Sequence, residues 1–311
     1  MKRGPTVLFV AFLFSACASG ADRTPGSVET VKLEVDERSR EYIVYKPASL
    51  DGNAEKRALV IVLHGGGGTA KQIMRETRAS FFPLAENAGF YLVYPNAVNK
   101  VWDFGAGKIS AELKERVDDR QYFSDLIDKA ISTLPVDPDR IFLTGISRGG
   151  QASYFIACEF PGRIRAIAPI AMPLPAYMVD ACRDGPPVGI AIMNGTDDPL
   201  VPYDGGMITI GRRERDEVIS TDATVAIWNE RNGCDVNDRE QSILDTASDR
   251  MHVELSEWRN CSGADVLLYR IVGGGHTWPS GSQYLPGFFV GRVNKDIDGA
   301  TVAWSFFSGF E

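Results

Sequence analysis

Arg140-Ile-Phe-Leu-Thr144 runs directly into Gly145-Ile146-Ser147-Arg148-Gly149-Gly150, and the reading of this stretch decides the fold. The first half is apolar and bounded by turn residues, the form of a strand buried on both faces. The second half is a G-x-S-x-G sequence, and a helical pattern follows it from Gly149 to Phe160. A bare five-residue string of this kind arises by chance. Its flanks give it meaning, because strand, tight turn and helix are what lift such a serine above a sheet edge at a helix N-terminus.

Outward from the turn the pattern repeats. Apolar runs at 58–63, 90–94, 166–171, 188–193 and 265–272 read as further buried strands, the second stopped by Pro95. Two earlier runs, 31–35 and 42–45, predict an opening antiparallel pair. Between 119 and 134 the residues Tyr122, Phe123, Leu126, Ile127, Ala130, Ile131 and Leu134 recur at helical spacing, and Pro135 ends the helix. Segments 222–231 and 298–307 read similarly. Strands alternating with helices predict an α/β fold, a mostly parallel central sheet with helices on both faces, as one domain over 30–311.

The chain has 311 residues, 44% hydrophobic and 24% charged, which suits a soluble domain with a sizeable core. A formal net charge of -8 argues against a nucleic-acid partner. Its one basic cluster, Arg212, Arg213 and Arg215, is interrupted by Glu214 and Asp216 and reads as a solvated loop.

Residues 1–20 read as a targeting segment. Lys2 and Arg3 precede the apolar run 7–14, which is too short to span a bilayer comfortably, and Phe14-Ser15-Ala16-Cys17 follows. That tetrad resembles the lipobox of bacterial lipoproteins, with Phe14 where leucine is usual, and implies lipidation of Cys17 as the one membrane attachment. The other reading is an ordinary signal peptide cut near Ala18 or Gly20. Either predicts export, with 21–29 as a flexible tether. Of the five cysteines, Cys158, Cys182, Cys234 and Cys261 then remain for an oxidising compartment. Of the three possible pairings, the sequential one, Cys158–Cys182 and Cys234–Cys261, closes two loops of moderate length and is the one expected. No closely spaced cysteine pair suggests a metal site, and no cofactor is called for.

A serine hydroxyl needs a base to become a nucleophile. Of the three histidines, His64 precedes Ser147 and ends a predicted strand. His252 lies in a polar stretch and reads as a surface residue. His276, in Gly273-Gly-Gly-His-Thr-Trp-Pro279 after the last parallel strand, has the right setting, since acid and then histidine follow the serine in this arrangement. The acid belongs in Asn194-Gly-Thr-Asp197-Asp198-Pro199, where both aspartates qualify on position. An oxyanion needs backbone N–H donors, expected from Arg148 and from the loop of Gly65, Gly66 and Gly67 that follows His64. The lysine and hydroxyl of a phosphate-cradling loop are absent there. Trp102, Tyr203 and Trp278 sit beside predicted strand ends and are candidates for substrate contact, with ordinary packing the alternative.

Taken in order, Leu63-His-Gly-Gly-Gly67, Gly145-Ile-Ser-Arg-Gly-Gly150, Gly195-Thr-Asp-Asp-Pro-Leu-Val-Pro-Tyr203 and Gly273-Gly-Gly-His-Thr-Trp-Pro279 resemble the polyhydroxybutyrate depolymerase / feruloyl esterase family, the LpqC-type lipoprotein esterases of the α/β-hydrolase superfamily. The similarity runs from about residue 30 to the C-terminus. It implies a triad of Ser147, His276 and Asp198, the aspartate before the proline, and hydrolysis of carboxylic esters: feruloyl- or acetyl-polysaccharides, or hydroxyalkanoate oligomers. Arg148 stands where the family has a small or amide residue, which leaves open an acidic substrate group or a solvent-facing side chain. Asn194 stands where a histidine is usual. The alternatives are a serine peptidase on the same fold and a non-catalytic carbohydrate- or polymer-binding surface protein.

Overall fold

The computed structural model describes residues 26–211 and 213–310. Their strands are β1 (Ser27–Val35), β2 (Arg38–Lys46), β3 (Arg57–Leu63), β4 (Tyr91–Pro95), β5 (Val136–Ile146), β6 (Ala166–Ile170), β7 (Gly189–Gly195), β8 (Gly206–Ile210), β9 (Arg213–Val218), β10 (Glu240–Leu244), β11 (His252–Trp258) and β12 (Val266–Val272). Ten of them form one sheet in the order β1-β2-β4-β3-β5-β6-β7-β12-β11-β10, while β8 and β9 form a separate hairpin. The six from β4 to β12 are mutually parallel. Antiparallel strands extend the sheet at both edges. This is the expected α/β-hydrolase arrangement.

The apolar runs are continuous because the central strands are covered on both sides. Leu59, Ile61 and Leu63 of β3 enter one core, and Ala58, Val60 and Val62 enter the other. The helices are α1 (Ala70–Glu76), α2 (Phe81–Ala88), α3 (Gly107–Glu112), α4 (Asp119–Thr133), α5 (Arg148–Glu159), α6 (Val179–Arg183), α7 (Thr221–Asn232), α8 (Gly287–Val290) and α9 (Gly299–Phe307). The first core is closed by α4, α5 and α7 through residues such as Phe123, Ile156 and Trp228. The second is closed by α1, α2 and α9 through Ile73, Phe81 and Phe307. Local signals set the boundaries. The Asp118 carboxylate accepts from Gln121 N at 3.0 Å and caps α4, a contact typically worth about 1 kcal/mol. No helix of the described residues is long and apolar enough to cross a membrane.

Three expectations change. Ser27, Val28 and Glu29, read as tether, pair with Lys46, Tyr45 and Val44 in β1–β2; their ladder orders them although their side chains are exposed. Residues 1–25, with the targeting segment and Cys17, lie outside the described residues. Arg213 and Arg215, read as loop, lie on β9; Arg212 is outside the described residues. His252 begins β11 half-buried beside Glu254, its Nε2 3.6 Å from Oε1. The polar strands β9 and β10 have no apolar alternation strong enough to announce them.

The sequential disulfides are present, Cys158–Cys182 joining α5 to α6 and Cys234–Cys261 joining the end of α7 to the segment before β12. They span 24 and 27 residues. Restricting the unfolded chain over loops of this length stabilises by about 3 kcal/mol each. Replacing both Cys158 and Cys182 with alanine should therefore lower the unfolding free energy by about that amount, read from urea titrations.

Candidate active site

β5 ends at Ile146 and α5 begins at Arg148, so Ser147 alone makes the turn, with φ 57° and ψ −125°. A non-glycine residue rarely adopts this conformation, and holding it costs on the order of 1–3 kcal/mol. The flanking glycines make the turn possible. A Cβ on Gly145 would lie 2.6 Å from the Gly149 carbonyl carbon, and one on Gly149 would lie 2.2 Å from Leu63 O. Ser147 N donates to Ile170 O at 2.9 Å, which ties the turn to β6.

Asp198 and His276 meet beside it. His276 Nδ1 is 2.7 Å from Asp198 Oδ2, and both side chains are almost fully buried. The other Asp198 oxygen accepts from Leu200 N at 2.8 Å and Val201 N at 2.9 Å, which fixes the carboxylate. Asp197 is exposed and takes Thr196 Oγ1 as its partner. The turn thus aims Asp198 inward toward His276 and Asp197 outward. The histidine is held by its backbone, N donating to Val290 O at 2.6 Å and O accepting from the Tyr284 hydroxyl at 3.0 Å.

Ser147 and His276 share a cavity of about 560 Å³ with Arg148 and Gly65 to Gly68. Gly67 N already donates to Lys100 O at 2.8 Å, so that residue, expected among the oxyanion donors, is spoken for. Gly65 and Gly66 have no backbone N–H acceptor among the described residues, and they approach Ser147 and Arg148 closely. The Arg148 N–H opens α5, where the first turn has no intrahelical acceptor.

His64 is not a second base. Its Nε2 accepts from Ala97 N at 3.1 Å while Nδ1 faces Gly65 O at 2.8 Å, the pattern of a neutral ring. Burial lowers its pKa from 6.5 to about 4, with the Gly65 contact opposing. The unfolded state therefore binds the extra proton between these values. Stability falls as pH drops from 6.5 to about 4, by up to about 3 kcal/mol. Urea midpoints between pH 7 and 4 measure this, and His64→Asn should flatten that part of the profile.

The three aromatic candidates do not line the cavity. Trp102 is fully buried, stacked on His64, with its Nε1 donating to His64 O at 2.9 Å. Trp278 packs edge-on against Phe81, and Tyr203 is buried with its hydroxyl 3.4 Å from Asp222 Oδ1. All three support the framework from below. The lining instead includes Gln72, Glu76 and Tyr284, with Ile109 of α3, Leu113 just after it, and Ile208 and Ile210 of β8. Burial pushes the Glu76 carboxyl up, opposed by the hydrogen bond from Gln72 and by the charges of Arg75 and His276. Sequence reasoning missed these residues. Gln72 and Glu76, four apart just after the glycine loop, were the available signal.

Arg148 neither faces solvent nor stands free for a substrate. Its guanidinium donates twice to Trp102 O, at 2.9 and 2.5 Å, and lies 3.3 Å from Asp216 Oδ2. Asn194 is equally structural, accepting from Met172 N at 2.9 Å and donating to Thr221 Oγ1 at 3.1 Å.

No family model matches the chain. It is 30% identical over 298 residues to NocK of Nocardia uniformis subsp. tsuyamanensis, a protein named as an esterase, covering 93% of this chain and 84% of that one. It is 24% identical over 307 residues to feruloyl esterase D of Neurospora crassa, covering 95% and 90%. Among solved structures, the acetyl xylan esterase from Aspergillus awamori matches with a TM-score of 0.59 over 92% of this chain and all of its own, at 15% identity, a likeness of fold. With these relatives, this sheet and this cavity, the chain belongs to the feruloyl esterase-type family of α/β-hydrolases and is a carboxylic ester hydrolase.

Proposed function

We propose that the chain is an exported serine esterase in which Ser147, His276 and Asp198 act as a triad. The observation that carries this reading is the buried 2.7 Å contact between His276 and Asp198 beside a serine held in a strained turn. His276 takes the Ser147 proton through Nε2 as Oγ attacks the ester carbonyl, and Asp198 stabilises the imidazolium through Nδ1. The oxyanion is received by the Arg148 N–H and by Gly65 or Gly66. His276 then protonates the leaving alcohol. Water, deprotonated by the same ring, attacks the acyl-enzyme, releasing the acid and restoring Ser147.

The cavity supports an aromatic or medium-length acyl group over acetate alone. At about 560 Å³, lined by Ile109, Leu113, Ile208 and Met172, it lies in the range that encloses a small organic ligand. Esters of a hydroxycinnamic acid with a polysaccharide fit it best, with hydroxyalkanoate oligomers and acetylated sugars as further substrates. Two disulfides accord with an oxidising compartment, and lipidation at Cys17 would anchor the enzyme to a membrane.

Initial rates on methyl ferulate, acetylated xylan, a hydroxybutyrate oligomer and ferulic acid anilide test this. We expect kcat/KM on the ferulate ester to exceed that on the other esters by at least about tenfold, with anilide cleavage negligible. Comparable cleavage of the anilide would overturn the esterase reading in favour of a peptidase.

A further inference from the structure

We propose that Asp216 is a positioning residue for ester cleavage: its carboxylate, on the β8–β9 hairpin outside the main sheet, fixes Arg148 and hence the N–H donor next to the nucleophile. This rests on the reading of Arg148 N as an oxyanion donor. Asp216 is a buried charge whose partners come from two other elements. Oδ1 accepts from Lys108 N at 2.5 Å and Ile109 N at 3.3 Å, at the start of α3. Oδ2 lies 3.3 Å from both Arg148 Nη1 and Gln151 Nε2, on α5. The side chains of Asp216 and Arg148 are 1% and 5% exposed. So little exposure leaves each charge dependent on its protein partners.

The consequence for the site follows from what else Arg148 holds. Its guanidinium lies over the Phe104 ring at 4.8 Å and is clamped by Trp102 O. Trp102 Nε1 in turn donates to His64 O, at the head of the glycine loop. One chain of contacts therefore runs from the hairpin through Arg148 and Trp102 to both sides of the oxyanion position. Pinning the Arg148 side chain at its far end restricts how the first residue of α5, and with it the backbone N–H, can shift. Preorganised donors of this kind act by not having to reorient when charge develops. Asp216 also ties the hairpin to α3, and Ile208 and Ile109 from these two elements line the cavity. The same carboxylate thus sets the roof above the acyl group.

The test compares wild type with Asp216→Asn and with the charge-free pair Arg148→Met/Asp216→Leu, which keeps the site apolar if the single variant folds poorly. The readouts are kcat and KM on 4-nitrophenyl acetate and methyl ferulate, Ki for a trifluoromethyl ketone that forms an oxyanion, and Tm. We expect both variants to lose about 10- to 100-fold in kcat, with KM for the acetate within about threefold and Ki weakened in step with kcat/KM. KM for the ferulate ester should rise as the roof loosens. A folded variant of either kind with wild-type kcat and Ki overturns the proposal, even if its Tm falls, because that is the mark of a merely structural pair. Loss of the proposal in this way leaves the triad reading intact, whereas a wild type that turns over no ester refutes the triad reading itself.

Discussion

Replacing Ser147 with alanine lowers kcat on an activated ester by about a millionfold while leaving Tm within about 2 °C of wild type. The first half follows from chemistry. Without Oγ there is no acyl-enzyme, and His276 has no bound nucleophile to deprotonate. What survives is the modest rate that an oxyanion pocket gives to attack by water. The second half follows from packing. The Ser147 side chain makes no capping hydrogen bond to α5, and alanine inherits the same φ of 57°. Glycine at this position should do more for stability, since it accepts that backbone without strain; Ser147→Gly should raise the unfolding free energy by about 1 kcal/mol. An inactive variant more stable than wild type is what a turn shaped for reactivity implies. Steady-state kinetics on purified variants, with thermal melts alongside, measure both effects.

Asp198→Asn lowers kcat by about ten-thousandfold, and Asp197→Asn changes it by less than about threefold. These neighbours differ only in where the turn points them. Asp198 Oδ2 faces His276 Nδ1 while Oδ1 is held by two backbone N–H groups. An amide there can present its NH₂ to the ring, which inverts the tautomer and leaves Nε2 protonated when it should accept from Ser147. Asp197 faces solvent. Equal losses from the two substitutions would mean that the loop moves in catalysis to exchange them, contrary to the geometry described above.

The sheet was largely legible because its central strands are buried on both faces and so carry unbroken apolar runs. The elbow was legible because Gly145 and Gly149 are required by backbone contacts closer than any side chain allows. Asp198 was not separable from Asp197 on position alone, since one rotation of the turn decides between them. The roof was illegible for a different reason. β9 reads Arg213-Glu-Arg-Asp-Glu-Val218, and its inward-facing member at the Arg148 contact is a charged aspartate, so no apolar pattern marks it. Arg148 was left open between an acidic substrate group and solvent because its partner, Asp216, lies 68 residues away. Trp102, Tyr203 and Trp278 stand near strand ends, which left substrate contact and ordinary packing both open; each is buried, as packing requires. Composition and spacing report burial well, but they do not report which buried polar groups find one another.

Covalent labelling by a fluorophosphonate probe, mapped by peptide mass spectrometry, tests the central claim most directly. A single adduct is expected on the peptide carrying Ser147, absent from Ser147→Ala and slowed about a thousandfold or more in His276→Ala. A folded wild-type protein that stays unlabelled, or that carries the adduct on another residue, would contradict it.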